Sequence, residues 1–146
     1  MNEREWIEFF RENLPLDEFE VHCGVAADNM TLPVPNCGVA LQFGDLRIET
    51  ENRTIVIEVE SAGTVHNFIK YWPYLSGQTA TRPEKAFVLI HVYGPSYPAH
   101  KALWWFFRGR MPSLIVPADF HLFEKGDEQQ DLILALVRGL LPAPDQ

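Results

Sequence analysis

The chain of 146 residues carries 12 Lys and Arg against 20 Asp and Glu, a formal net charge of −8, with 47% hydrophobic and 22% charged residues. That length suits one domain spanning 1–146 with a sizeable core, and that composition excludes a disordered or fibrous chain. The acidic balance argues against a protein that holds nucleic acid mainly through a basic face, and no apolar run approaches the roughly 20 residues of a bilayer span.

The charged opening Met1-Asn2-Glu3-Arg4-Glu5 lacks the apolar stretch of a signal peptide, and only two cysteines, Cys23 and Cys37, occur. A cytoplasmic setting with reduced thiols is therefore expected. In chain order, Glu3–Asn13 reads as a helix with the apolar stripe Trp6, Ile7, Phe9, Phe10 and Leu14, closed at Leu14-Pro15. Leu16–Pro35 reads as irregular, with turn material at Asp28-Asn29 and Pro33-Val34-Pro35-Asn36.

Val39–Thr50 and Thr54–Glu60 then predict an antiparallel hairpin. Leu46 and Ile48 form one apolar row and Ile55, Ile57 and Val59 another. For both rows to face one core, Asp45, Glu58 and Glu60 must share the opposite face, because a one-residue slip would bury the carboxylates and expose the aliphatics. A two-residue loop at Glu51-Asn52 sets Asp45 opposite Glu58, with side-chain origins roughly 5 Å apart. Carboxylates converging on one sheet face repel unless something positive lies between them, and a hard divalent cation is the usual solution. The plainer reading is a polar hairpin face, since antiparallel sheets alternate apolar-in and polar-out.

After a turn at Ser61-Ala62-Gly63, Thr64–Leu75 predicts a helix whose face Val65, Phe68, Ile69 and Trp72 packs on the sheet. A polar loop, Ser76–Glu84, leads to Ala86–Val92, a near-continuous apolar strand suited to a central position, parallel to Thr54–Glu60. Gly94-Pro95-Ser96-Tyr97-Pro98 breaks the chain before a helix over Ala99–Arg108. That helix carries Leu103-Trp104-Trp105-Phe106-Phe107, which covers more than one face: core packing is the first reading, a homodimer interface the second, base stacking the third. Ser113–Pro117 predicts a short edge strand, continued by His121-Leu122-Phe123 after a bend. The last helix, Glu128–Leu141, has Asp127 as N-cap with Gln130 completing a capping box, and buries Leu132, Ile133, Leu136, Val137 and Leu140 before Pro142-Ala143-Pro144.

Gly44-Asp45, then Glu58-Val59-Glu60, then a helix and an apolar strand resemble the PD-(D/E)xK nuclease superfamily over Val39–Val92. The motif is short and degenerate. Gly44 stands where Pro is usual, and Glu60 occupies the Lys position, as in some relatives, both active and inactive. The resemblance implies an α/β fold of restriction-endonuclease type, a mixed sheet flanked by helices. It further implies a hydrolase that cleaves nucleic-acid phosphodiester bonds with Mg²⁺ or Mn²⁺. Asp45 and Glu58 then bind metal, and Glu60 completes the shell or orients water; Lys70, whose plainer reading is a surface lysine beside the core, is the nearest downstream cation to reach back in place of the motif Lys. A further acidic residue often comes from the first helix in this superfamily, and Glu8, Glu12 and Glu18 are the candidates. The alternative is a catalytically inactive nuclease-fold protein, a homodimeric interaction or assembly module joined through the Leu103–Phe107 helix. The missing motif Lys, the acidic balance and the lack of a basic cluster beyond Arg108-Gly109-Arg110 favour it.

Other chemistries find little support. His22-Cys23 with Cys37 lacks the second close pair of a zinc site. Phosphate-binding glycine loops and a nucleophile elbow are absent from the sequence. His91, on a buried strand, reads as a hydrogen-bonded core residue.

Overall fold

The computed structural model describes residues 2–60, 65–94, 98–111 and 113–143. Its frame is a five-stranded mixed sheet in the order β1-β2-β3-β4-β5: β1 is Glu20–Cys23, β2 Leu46–Glu49, β3 Arg53–Glu60, β4 Ala86–Tyr93 and β5 Ala118–Glu124. β1, β2 and β3 run as an antiparallel meander, and β4 and β5 continue parallel to β3. The predicted register holds, with Leu46 opposite Ile57 and Ile48 opposite Ile55. The turn closes at Thr50 and Arg53, leaving Glu51-Asn52 as the loop.

Helices cover both faces. On one, α1 (Glu3–Asn13) and α5 (Asp127–Leu140) pack Trp6, Phe10, Ile133, Leu134 and Val137 against the aliphatic rows of β2, β3 and β4. Arg53 and Arg138 tie this layer down by donating to the Leu140 and Asn13 carbonyls at 3.0 and 2.9 Å. On the other, α2 (His66–Ile69), α3 (Trp72–Leu75) and α4 (Pro98–Arg108) bring Phe68, Tyr71, Leu75 and Trp104 onto Val56, Phe87, Leu89 and Phe120. Each such side chain contributes about 1.5–3 kcal/mol when fully buried. Carboxylates on this second face are therefore roofed over instead of solvated.

Several expected elements differ. The segment read as irregular contains a 3₁₀ turn, Leu16–Glu18, and the edge strand β1, whose four residues are too few for a clear alternation. The first hairpin strand begins at Leu46, not Val39: Val39 is exposed, Leu41 pairs with Leu32, and Gly44 at φ +83° turns the chain into β2. The helix expected over Thr64–Leu75 is two short ones, because Pro73 has no N–H and its ring conflicts with the Ile69 carbonyl one turn back. Thr64 and the Ser61-Ala62-Gly63 turn lie outside the described residues, as do Pro95, Ser96 and Tyr97. Ser113–Pro117 is not a strand; pairing starts at Ala118, immediately past the proline, and runs through His121–Phe123. α5 starts one residue early, so Gly126 is its N-cap and Asp127 its first helical residue instead of the cap. Within α5, Leu132 is exposed and Leu134 takes its place in the core.

Gly44 controls how Asp45 enters the sheet. Its φ of +83° is unfavourable for other residues, and a β-carbon there would collide with the Val56 side chain. Gly44→Ala is expected to lower stability by about 1–3 kcal/mol, read as a reduced urea midpoint. An unchanged midpoint would show that this turn is not constrained as described.

Candidate functional site

Alternation along β3 sends Val56, Glu58 and Glu60 to the α2–α4 face, and the register of β2 sets Asp45 beside Glu58 at the strand entry. Asp45, Glu58 and Glu60 are 7%, 2% and 5% exposed, so all three are buried carboxylates. Burying a charge costs several kcal/mol unless donors replace water, and here each has them. Asp45 Oδ2 accepts the Val59 backbone N–H at 2.7 Å and Oδ1 accepts Gln42 Nε2 at 3.0 Å. Glu58 Oε1 receives the Tyr71 hydroxyl at 2.5 Å and Lys70 Nζ at 2.7 Å. Glu60 Oε1 receives Asn67 Nδ2 and faces His91 Nε2 at 3.4 Å. The described partners of each glutamate thus converge on Oε1.

Lys70, on the turn between α2 and α3, is not the surface lysine of the plainer reading: it reaches the acidic group at Glu58. Its ammonium also donates to the Gln42 carbonyl at 2.9 Å, and the side chain is 8% exposed. The acidic residue from the first helix is Glu3, not Glu8, Glu12 or Glu18. Glu8 pairs with Arg4 on the surface, and Glu12 and Glu18 are exposed. Glu3 is in the first turn of α1, fixed by the Asn2–Glu5 capping box, and its carboxyl senses that of Asp45 across the cavity wall they share. Glu3, Gln42, Asp45, Glu58, Val59, Glu60, Asn67 and Lys70 line one polar cavity of about 200 Å³.

The protonation pattern records a surplus of negative charge. Burial pushes the Glu58 carboxyl up to about 8; Lys70 and Tyr71 pull it down, while Asp45 adds to the rise. Glu3 is exposed on α1, but partial desolvation of its carboxyl, with Asp45 and Glu60 adding to it, raises it to about 7. Glu60 lies below its ordinary value: burial opposes that shift, but His91 and Asn67 outweigh it. His91 is held below the usual imidazole range by burial, against the pull of Glu60. Lys125, following β5, is lowered by partial burial and is counteracted by Glu3, Glu60 and Asp45.

Hard oxygen donors with uncommitted lone pairs suit Mg²⁺ or Mn²⁺ in kind. Yet among the described residues no three His, Cys, Asp or Glu side chains are drawn together around a single point, so the carboxylates share a cavity without forming a finished coordination set. Sequence reasoning missed Glu3, Gln42, Asn67 and Tyr71. The usable signal was the placement of the acidic group where β3, β4 and β5 all end, the edge at which open α/β sheets bind ligands.

The sequence matches no family model, no curated protein and no solved structure. Among the described residues no helix is long and apolar enough to cross a membrane.

The raised carboxyls have a definite stability signature. Folded Glu58 and Glu3 bind protons more tightly than in the unfolded chain, so their contribution is complete below the ordinary Glu value of 4.5 and is lost as pH rises through about 7 and 8. His91 acts oppositely but only below about its ordinary 6.5. Melting temperature in divalent-free buffer is therefore expected to fall between pH about 6.5 and about 8.5, and Glu58→Gln to flatten the fall. A flat or rising profile in the parent would contradict a buried, proton-holding Glu58.

Proposed function

We propose that this chain is a nuclease-fold protein that hydrolyses phosphodiester bonds in nucleic acid with Mg²⁺ or Mn²⁺. The observation carrying the reading is Lys70. With Glu60 in the motif's Lys position on β3, the cation arrives from the next helical element and sits 2.7 Å from Glu58, on the wall of the cavity that Asp45 and Glu60 also line. The order helix, three-stranded meander, helix and parallel strand agrees with the restriction-endonuclease-like architecture suggested by Gly44-Asp45 and Glu58-Val59-Glu60.

In this reading Asp45 and Glu58 hold the cation, with Glu3 beside Asp45. An ion held there would supply charge neutralisation at the phosphate and a lowered pKa for the attacking water. Glu60, fixed through Oε1, orients the water. An ammonium has three donors; Lys70 gives two to Glu58 and the Gln42 carbonyl, and directs the remaining one to the reacting phosphate. Water attacks phosphorus, the bond to the leaving oxygen breaks, and the water's proton passes to a carboxylate whose affinity lies near neutrality, as that of Glu3 does. A groove of about 540 Å³ adjoins the site, sharing Glu3 and Asp45, and carries Arg4 and Arg11.

A second reading has an observation of its own. On α4, Leu103, Trp105 and Phe106 are 44%, 58% and 49% exposed, an apolar face that suits a homodimeric assembly module without catalysis. Activity separates the two. The parent is expected to cleave DNA or RNA in Mg²⁺ or Mn²⁺ and to stop in EDTA. Asp45→Asn and Lys70→Ala should each lower the rate at least about a hundredfold while the folded spectrum persists. No cleavage of single- or double-stranded DNA or RNA, with dimerisation that Trp105→Ser abolishes, would establish the module instead.

A further inference from the structure

Behind Glu60 stands a chain of buried polar groups that the proposed chemistry does not itself use. Trp104, on α4, and His91, on β4, are both 0% exposed, and Trp104 Nε1 donates to His91 Nδ1 at 3.1 Å. An indole nitrogen only donates. Nδ1 must therefore present a lone pair, and the single proton of neutral His91 resides on Nε2, which faces Glu60 Oε1 at 3.4 Å. Packing allows the chain little freedom. Phe68 stacks on the Trp104 ring at 4.7 Å between centroids, and the Tyr93 ring lies 4.7 Å from His91. Asn67, one residue before Phe68, donates to the same Oε1.

We propose that Trp104 and His91 are positioning residues for Glu60: the indole fixes the imidazole tautomer, and the imidazole N–H fixes the carboxylate through Oε1, presenting Oε2 to the cavity. The proposal rests on the nuclease-site reading of Glu60. Neither His91 nor Trp104 is among the described residues lining the cavity, so they act through Glu60 and not on substrate. A core that needed only to be filled would have no use for this arrangement. An unpaired buried donor or acceptor costs about 1–3 kcal/mol, and apolar side chains of similar shape avoid that risk. Partners that orient a ligating carboxylate or imidazole typically change metal affinity or activity about 10–100-fold when removed.

Two measurements on the full chain test this, one independent of metal. Nitrogen-15 NMR should show His91 protonated at Nε2 and bare at Nδ1. Trp104→Phe, which keeps most of the ring volume, should mix the tautomers, and Glu60→Ala should move the Nε2–H resonance. Titration with Mn²⁺ should then show affinity about 10–100-fold weaker in Trp104→Phe and His91→Leu. His91→Gln, whose amide can accept from the indole and donate to Glu60, should restore it to within a few-fold of the parent, which recovered packing alone would not achieve. A proton on Nδ1 in the parent overturns the proposal, as does an Nε2–H resonance indifferent to Glu60→Ala, or Mn²⁺ affinity equal in His91→Leu and the parent. If the parent binds no Mn²⁺, the metal-site reading fails, and the NMR arm alone decides whether His91 positions Glu60.

Discussion

The Asp45 carboxylate accepting the Val59 amide at 2.7 Å is the contact from which most of the remaining architecture follows. It forms only in the register that pairs Leu46 with Ile57, and that register sends Ile55, Ile57 and Val59 to the α1–α5 core while Glu58 and Glu60 face α2–α4. The two glutamates are thereby committed to a buried surface. Unpaired there, each would cost several kcal/mol. Lys70, Tyr71, Asn67 and His91 are drawn in as their donors. Gly44 allows the chain to reach this contact, because its left-handed backbone admits Asp45 without a side chain striking Val56.

Strong patterns in the sequence correspond to elements held by strong local physics. The apolar alternation of β2 and β3 specified their register, the near-continuous Ala86–Val92 run specified a central parallel strand, and the stripe of Trp6, Phe10 and Leu14 specified α1. Asp45, Glu58 and Glu60 were legible as a cluster for the same reason, since period-2 geometry leaves them one face. What escaped depends on tertiary contacts. β1 is a strand because β2 offers it an edge, through pairs such as Val21 with Ile48. α5 turns Leu134 inward and Leu132 outward because its axis is set by Val137 and Ile133 seated on the sheet. Glu3 joins the site because α1 packs across β3 with its first turn near Asp45, and no spacing within the helix distinguishes Glu3 from Glu8 or Glu12.

The site shares the acidic balance of the whole chain, relieved at a few points. Net charge is −8, yet around the cavity Lys70 pairs with Glu58, Lys125 senses Glu3, Glu60 and Asp45, and Arg4 and Arg11 line the adjoining groove. These cations are outnumbered by carboxylates nearby, and the difference is met by protons: Glu58 and Glu3 hold theirs to about 8 and about 7. A catalytic site and an inactive relic differ at this point. In a catalytic site the protons stand in for a cation that displaces them. In a relic they are the permanent solution, and the exposed face of α4 carries whatever role the protein has.

That difference is measurable directly. Calorimetric titration of the full chain with Mn²⁺ near pH 7, repeated in buffers of different ionisation enthalpy, counts the protons expelled on binding. The account predicts saturable binding with release of about one proton per ion, falling away in Glu58→Gln. Binding without proton release, or no binding, would contradict the proposal that Asp45 and Glu58 hold a metal ion.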